Sequence, residues 1–413
     1  MRSETIDLKE ASLALHQEVK GKLSVESTVA LRDEYDLSLA YTPGVAEPCC
    51  RIFRDKELVY EYTGKGNMVA VVTDGTAVLG LGNIGPEAAL PVMEGKAVLF
   101  KLFAGVNAIP VCVGSSDPEE IVNFVKLLAP AFGGVNLEDI AAPACFLVEK
   151  RLKAETDIPI FHDDQHGTAV VVAAGLINAL RLVKKAPEQI TVVINGAGAA
   201  AIAVARLLFR LGTPVVKLCD RLGAVYPGRS QGMNEYKEEI ARLGNPGGGA
   251  GYLADLLVGA DVFIGLSKGK QVDAAMVSRM APAPVVFALA NPEPEILPAD
   301  ALAAGAAVVA TGRSDFPNQV NNVLAFPGIL RGALDVRARD IDETMKIAAA
   351  LAIAQVVEPA ELRPEYIIPK PFDRRVAPAV AAAVAKAAQR AGLARVQVDP
   401  AAVAARTKML TNS

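Results

Sequence analysis

The chain has 413 residues, more than one hydrophobic core usually holds, so two domains are expected. Its composition, 52% hydrophobic and 21% charged, excludes a disordered or fibrous protein. A net charge of −4 leaves no basic footprint for nucleic acid or an anionic membrane, so neither is expected as a partner.

Met1 to Glu10 mixes charges of both signs without an apolar core, and no signal peptide is visible. Leu13, Leu15, Val19 and Leu23 have helical spacing, and residues 27–40 and 47–60 also read as helices. Between these two lies a Pro-Gly turn, Y-T-P-G-V-A, from Tyr41 to Ala46. Cys49, Cys50, Cys112, Cys145 and Cys219 lack C-x-x-C spacing and read as buried, reduced thiols of a cytoplasmic protein. With three histidines, a histidine-rich zinc site is not expected.

Residues 69–73 and 77–81 are apolar runs joined at Asp74-Gly75, which suggests a hairpin, or a strand and its return. A helix over 86–104, a strand over 108–113 and a helix opened by Ser116-Asp117-Pro118 follow. Strands are expected over 135–139 and 158–161, then a buried helix over 169–183, too broken by Gly175, Asn178 and Arg181 to span a bilayer. Further strands at 190–195, 215–219, 262–265, 285–289 and 307–310 alternate with helical patterns, and the glycines of 244–251 suggest a flexible loop. After Arg363 a Pro-rich then Ala-rich tail is expected to wrap or pair rather than catalyse. This rhythm predicts an α/β protein. Residues 1–162 would form an N-terminal α/β substrate domain. Residues 163–413 would form a Rossmann-type, doubly wound parallel-sheet NAD-binding domain with a helical tail.

The strand ending at Asn195 runs into Gly196-Ala197-Gly198-Ala199-Ala200-Ala201 and an apolar helix, and Asp220 closes the next strand. That context suits a dinucleotide pyrophosphate at a helix N-terminus. Asp220 would accept hydrogen bonds from the adenosine ribose and favour NAD, while Arg221 keeps NADP open. An ordinary strand-end cap is the rival reading of Asp220.

Two carboxylate pairs, Glu138-Asp139 and Asp163-Asp164, fall at the ends of successive strands, where a parallel sheet gathers its ligands. Three such oxygens, with substrate and water, suit an octahedral Mg²⁺ or Mn²⁺. Each pair alone reads as a solvated loop or helix cap. Lys96, among Val92, Met93, Ala97 and Val98, is a base if burial lowers its pKa, and otherwise a snorkelling surface lysine. A nearby Asp163 would oppose that lowering. Tyr41 offers a phenolic proton or merely packs. His162 and His166 read as hydrogen-bonding supports, not ligands.

Assembled, these motifs resemble malic enzyme in its compact bacterial form. They include Y-T-P-G-V-A at Tyr41, T-D-G-T-A-V-L-G-L-G-N-I-G from Thr73, G-K at Lys96 and N-L-E-D from Asn136. They continue with F-H-D-D-Q-H-G-T from Phe161, I-N-G-A-G-A-A-A from Ile194, A-N-P around Asn291 and N-N-V-L-A-F-P-G from Asn321. The resemblance implies oxidative decarboxylation of L-malate to pyruvate and CO₂ with NAD or NADP. It implies Lys96 as general base, Asp163 as its orienting partner and Tyr41 as the acid. Glu138, Asp139 and Asp164 become the metal ligands, and Asn291 with Asn321 or Asn322 holds malate. Thr168 and Asn291 join the glycine turn among the expected cofactor contacts. Ala77-Val78 stand where larger members carry a malate-gripping arginine, so Arg313 or backbone N–H groups are candidates for that grip. A homodimer or larger homo-oligomer is also implied, and the early apolar helices fit such an interface. Malolactic-type decarboxylation with retained NAD uses the same residues and stays open, as does a non-catalytic NAD-binding sensor or scaffold.

Overall fold

The structure, a computed structural model, describes residues 8–411 except Leu79. It begins with short helices α1 (Leu8–Val19), α2 (Glu34–Ala40), α3 (Ala46–Arg54) and α4 (Val59–Tyr62), none of which buries a residue. α2 starts later than expected because the Asp33 carboxylate caps it, accepting from the Asp36 N–H at 2.8 Å. Cys49 and Cys50, on α3, are exposed rather than buried, since α3 has no covered face. Cys145 and Cys219 are buried as expected, and all five thiols are free.

The first sheet contains β1 (Met68–Thr73), β2 (Asn107–Cys112), β3 (Gly134–Leu137) and β4 (Ile160–His162), in the order β2-β1-β3-β4, all parallel. Helices α5 (Pro86–Ala104), α6 (Pro118–Leu128) and α7 (Ala144–Glu155) make the crossovers. The expected hairpin after β1 does not form. β1 has a parallel neighbour on each side, which leaves no edge for an antiparallel return. Instead the backbone turns at Gly75 (φ +72°), whose carbonyl accepts from the N–H groups of Ile84 and Gly85. Leu79 of that run lies outside the described residues.

Helix α8 (Asp163–Val183) leaves β4 directly and runs to the second sheet. Among the described residues it alone is long and apolar enough to cross a membrane, but most of it is buried inside the protein. The second sheet contains β5 (Thr191–Asn195), β6 (Val215–Asp220), β7 (Gly223–Ala224), β8 (Val262–Gly265), β9 (Val285–Ala288) and β10 (Val308–Thr311). Its order is β10-β9-β8-β5-β6-β7, parallel except for β7. The order reverses at β5, whose carboxyl end is therefore the ligand crevice of a doubly wound sheet. Around it lie α9 (Ala199–Arg210), α10 (Glu235–Gly244), α11 (Leu253–Leu256), α12 (Ala274–Ser278) and α13 (Pro298–Ala303). The glycine-rich loop after α10 is tied down rather than loose. Asn245 donates to the carbonyls of Val225 and Gly249 and accepts from the Gly249 N–H.

The tail forms α14 (Phe326–Asp335), α15 (Glu343–Val356), α16 (Val376–Arg390) and α17 (Pro400–Leu410). α16 packs on α14, α15 and α17, and α14 reaches back to α5 of the first sheet. Close helix approach explains the glycines of α14. A Cβ on Gly328 would stand 2.8 Å from Val380 Cγ1, and one on Gly332 2.4 Å from the Ala381 carbonyl.

Candidate active site

β3 and β4 end side by side, so Glu138 and Asp139 emerge next to the first turn of α8, which carries Asp163 and Asp164. The helix N-terminus favours carboxylates there. Glu138, Asp139 and Asp164 each offer an oxygen, all within 4.8 Å of one another. The fourth carboxylate, Asp163, points elsewhere. It is fully buried and accepts from Lys96 Nζ at 2.5 Å and from Asn322 Nδ2 at 2.6 Å.

Lys96 reaches this point from the buried face of α5. Its Nζ also lies 2.8 Å from Glu138 Oε1 and 4.2 Å from the centre of the Phe326 ring. Burial alone would lower its pKa. The Asp163 and Glu138 carboxylates outweigh that and hold the ammonium above its ordinary value. Of the two opposed effects expected at Lys96, the opposition from Asp163 prevails over the lowering by burial. The carboxylates shift in the opposite sense to a normal ion pair. Burial, with Asp164 and Glu138 adjacent, pushes Asp139 up to about 8. Burial lifts Asp163 to about 7 against the pull of Lys96.

That strain is the test of a cation. Asp139 Oδ2 is buried with no hydrogen-bond partner, and the neighbouring oxygens repel it. An all-oxygen set gathered around an unsatisfied buried carboxylate fits a hard divalent ion such as Mg²⁺ or Mn²⁺. The dinucleotide turn passes a similar test. Gly196 has φ +141°, and a Cβ there would meet the Leu266 carbonyl at 2.9 Å. Beside it, Asn195 Nδ2 is buried without a partner. Gly198 is exposed as the cap of α9, Ala197 and Ala199 are half-buried, and Ala201 is buried against the sheet.

The remaining candidates divide. Asn321 is used locally, its Oδ1 accepting from the Val323 N–H, so Asn322 is the member of the pair that joins the cluster. Asn291 is exposed on the loop after β9, with its carbonyl near Gly80 of the loop after β1. Thr168 is half-buried on the second turn of α8. Tyr41 caps α2, is 66% exposed, and takes no part in the hydrogen bonds that knit Lys96 to the acids. Arg313, a candidate for the malate grip, is already engaged. Its guanidinium is held by Asp315 through two bonds and by the Pro292 carbonyl. His166 is a support as expected, 2.6 Å from Glu149 Oε1 and 3.0 Å from Lys346 Nζ. His162 is not: both its ring nitrogens are buried without hydrogen bonds.

Asp220 accepts from the Leu222 N–H two residues on, as the strand-end cap reading has it. Its carboxylate is engaged by Arg229 and Lys237, neither of which sequence reasoning singled out. Asn136 was missed as well, although it sits two residues before Glu138 on the same strand face and donates to Glu138 Oε2 at 2.8 Å. Glu149 and Phe326 left no local signal, because helix packing alone brings them in. A cavity of about 450 Å³ lies behind the first turn of α8, lined by residues including Glu149, His166, Tyr236 and Lys346. Its acids and bases largely pair with one another, and it does not include the acid cluster.

Residues 20–153 match the malic enzyme N-terminal domain and residues 218–389 the malic enzyme NAD binding domain. The Bifunctional malic/malolactic enzyme of Bacillus subtilis is 62% identical over 98% of this chain and 99% of its own length. The NADP-dependent malic enzyme of Escherichia coli is 49% identical over 94% of this chain, which spans only 53% of that protein. The solved malic enzyme of Pyrococcus horikoshii superposes with a TM-score of 0.94 at 46% identity, covering 98% of this chain and 96% of that one. The chain belongs to the malic enzyme family.

Proposed function

We propose that the protein oxidatively decarboxylates L-malate to pyruvate and CO₂, reducing NAD or NADP, with a divalent cation. The observation that carries this is the Lys96–Asp163–Glu138 network at the edge of an oxygen-only cluster, in a chain that also carries a dinucleotide turn at Gly196. Glu138, Asp139 and Asp164 would hold Mg²⁺ or Mn²⁺. Asn195, Gly196 to Ala199, Ala201, Thr168 and Asn291 would hold the dinucleotide. When bound, the cation supplies a Lewis acid at the malate C2 oxygen and the dinucleotide supplies a hydride acceptor.

The chain's own residues handle protons and position. Lys96 stands protonated between two carboxylates, so the proton-transfer unit is Lys96 together with Asp163, joined at 2.5 Å. That unit takes up the C2 hydroxyl proton as the alcohol is oxidised. Asn322 fixes Asp163 and contacts malate with Asn291, while the Phe326 face keeps water from Lys96. Tyr41 protonates C3 of the enol left by CO₂ loss. Within one chain it stands on the exposed N-terminal helices, so that role needs those helices to pack on a second copy.

A homodimer supplies that packing. Fifteen of the thirty large apolar side chains exposed among the described residues lie within 8–62. An unpartnered run of that density marks an interface. Residues 1–162 would form the substrate domain and 163–413 the nucleotide domain of a cytoplasmic protein, with Asp163, Asp164, Asn291 and Asn322 of the second domain completing the malate site.

The deciding assay follows NAD(P)H absorbance and pyruvate with malate and Mn²⁺, with and without chelator. Chelator-sensitive formation of both is expected, and their absence in the loaded protein sinks the reading. The malolactic alternative has one specific support, the name of the 62% identical relative. Lactate without accumulated NAD(P)H would favour it.

A further inference from the structure

In a doubly wound sheet the residue closing the strand beside the glycine turn meets the adenosine ribose. Here that residue is Asp220, on β6, with the Gly196 N–H donating to the carbonyl of Cys219 just before it. A carboxylate has about four acceptor positions. All four of Asp220 are taken. Oδ1 accepts from the Leu222 N–H at 2.9 Å and Arg229 Nη1 at 2.9 Å. Oδ2 accepts from Arg229 Nη2 at 2.6 Å and Lys237 Nζ at 2.7 Å. No lone pair remains for a ribose hydroxyl, and the repulsion that would exclude a phosphate is cancelled.

The surplus charge at this edge is positive. Arg229, buried and also bound to the carbonyls of Gly223 and Ala224, has its Nε without a partner. Lys237 projects from the first turn of α10. Arg221, next to Asp220, is exposed and makes no side-chain hydrogen bond or ion pair. Arg229 and Lys237 engage the neutralised carboxylate, and Arg221 adds a third cation one residue along the chain. Glu238 and Glu239 of α10 are occupied by Arg242 and Arg206 and do not offset them.

We propose that this edge is a phosphate site for the adenosine 2′-position, so that the protein prefers NADP over NAD, with Arg221, Arg229 and Lys237 setting the preference. The inference rests on the reading that a dinucleotide occupies the Gly196 turn. It reverses the expectation that Asp220 selects NAD.

The test is equilibrium binding of NADPH and NADH to the full chain without malate or metal, followed by nicotinamide fluorescence and calorimetry. NADPH is expected to bind at least about tenfold tighter, the value of one charge-assisted contact. Lys237→Gln and Arg221→Gln leave the buried Arg229–Asp220 pair in place. Each is expected to weaken NADPH by about tenfold while NADH stays within about twofold. Equal or tighter binding of NADH, or equal loss for both cofactors in the variants, overturns the preference alone. Binding of neither dinucleotide overturns the preference and the dinucleotide reading together.

Discussion

Lys96 is buried with an ammonium charge because three groups share the burden: Asp163, Glu138 and the face of Phe326. Lys96→Ala removes the proposed proton carrier and the cation that pairs two buried carboxylates. Turnover is expected to fall by at least about a thousandfold, and breaking a buried pair costs about 3–5 kcal/mol. Paired kcat and urea-midpoint measurements check this, and wild-type turnover in the variant would contradict the assignment. Asp139 makes a second point. Its carboxyl holds a proton up to about pH 8, so below that a cation must displace the proton to bind. Mn²⁺ affinity is therefore expected to rise with pH, by up to about tenfold per unit, and to level off near pH 8. Calorimetric titration across that range reads the slope, and a flat profile would exclude Asp139 as ligand. At this scale the sequence revealed residue types but not charge states. Lys96 was visible from its apolar neighbours, whereas Glu138 reaches it only through the packing of α5 against the sheet.

Element boundaries decide how the site is held. α8 begins at Asp163 itself, so two carboxylates share its first turn, and that turn is pinned from outside. Glu149 of α7 accepts from Gln165 Nε2 at 3.2 Å and lies 2.6 Å from His166 Nε2. One turn along, Gly167 leaves space that Asp163 fills: a Cβ there would stand 1.8 Å from Asp163 Oδ1. Alanine is favoured over glycine in a helix by about 1 kcal/mol, yet Gly167→Ala is expected to lower both melting temperature and kcat by displacing that carboxylate. A variant with raised stability and full activity would show that Asp163 has freedom to move. Most strands and α5, α6 and α8 were legible because periodicity and capping are local signals. The hairpin expected after β1 was not, since the residues of 69–81 do not record that two other strands already flank β1.

At the scale of the molecule, the exposed N-terminal helices are the unfinished part. Substituting Leu39→Asp and Phe53→Asp together is expected to convert an oligomer into a species near the chain mass of 43.2 kDa in sedimentation. Malate turnover should fall with it if Tyr41 acts across copies. A wild-type chain that sediments as a monomer at working concentration would refute the interface. The order of motifs made the two-sheet plan readable in advance, and composition the wrapping of the tail, but not which helices the tail meets, which no short-range pattern encodes.

That return has a consequence for the chemistry. Phe326, the aromatic floor beneath Lys96, is the first residue of α14, and α14 is wedged against α16 at two glycines with no slack for even a methyl group. The helices from α14 onward therefore buttress the Lys96 amine from behind. Trimming the carboxyl terminus, far from any substrate, should be felt first as a lysine that wanders.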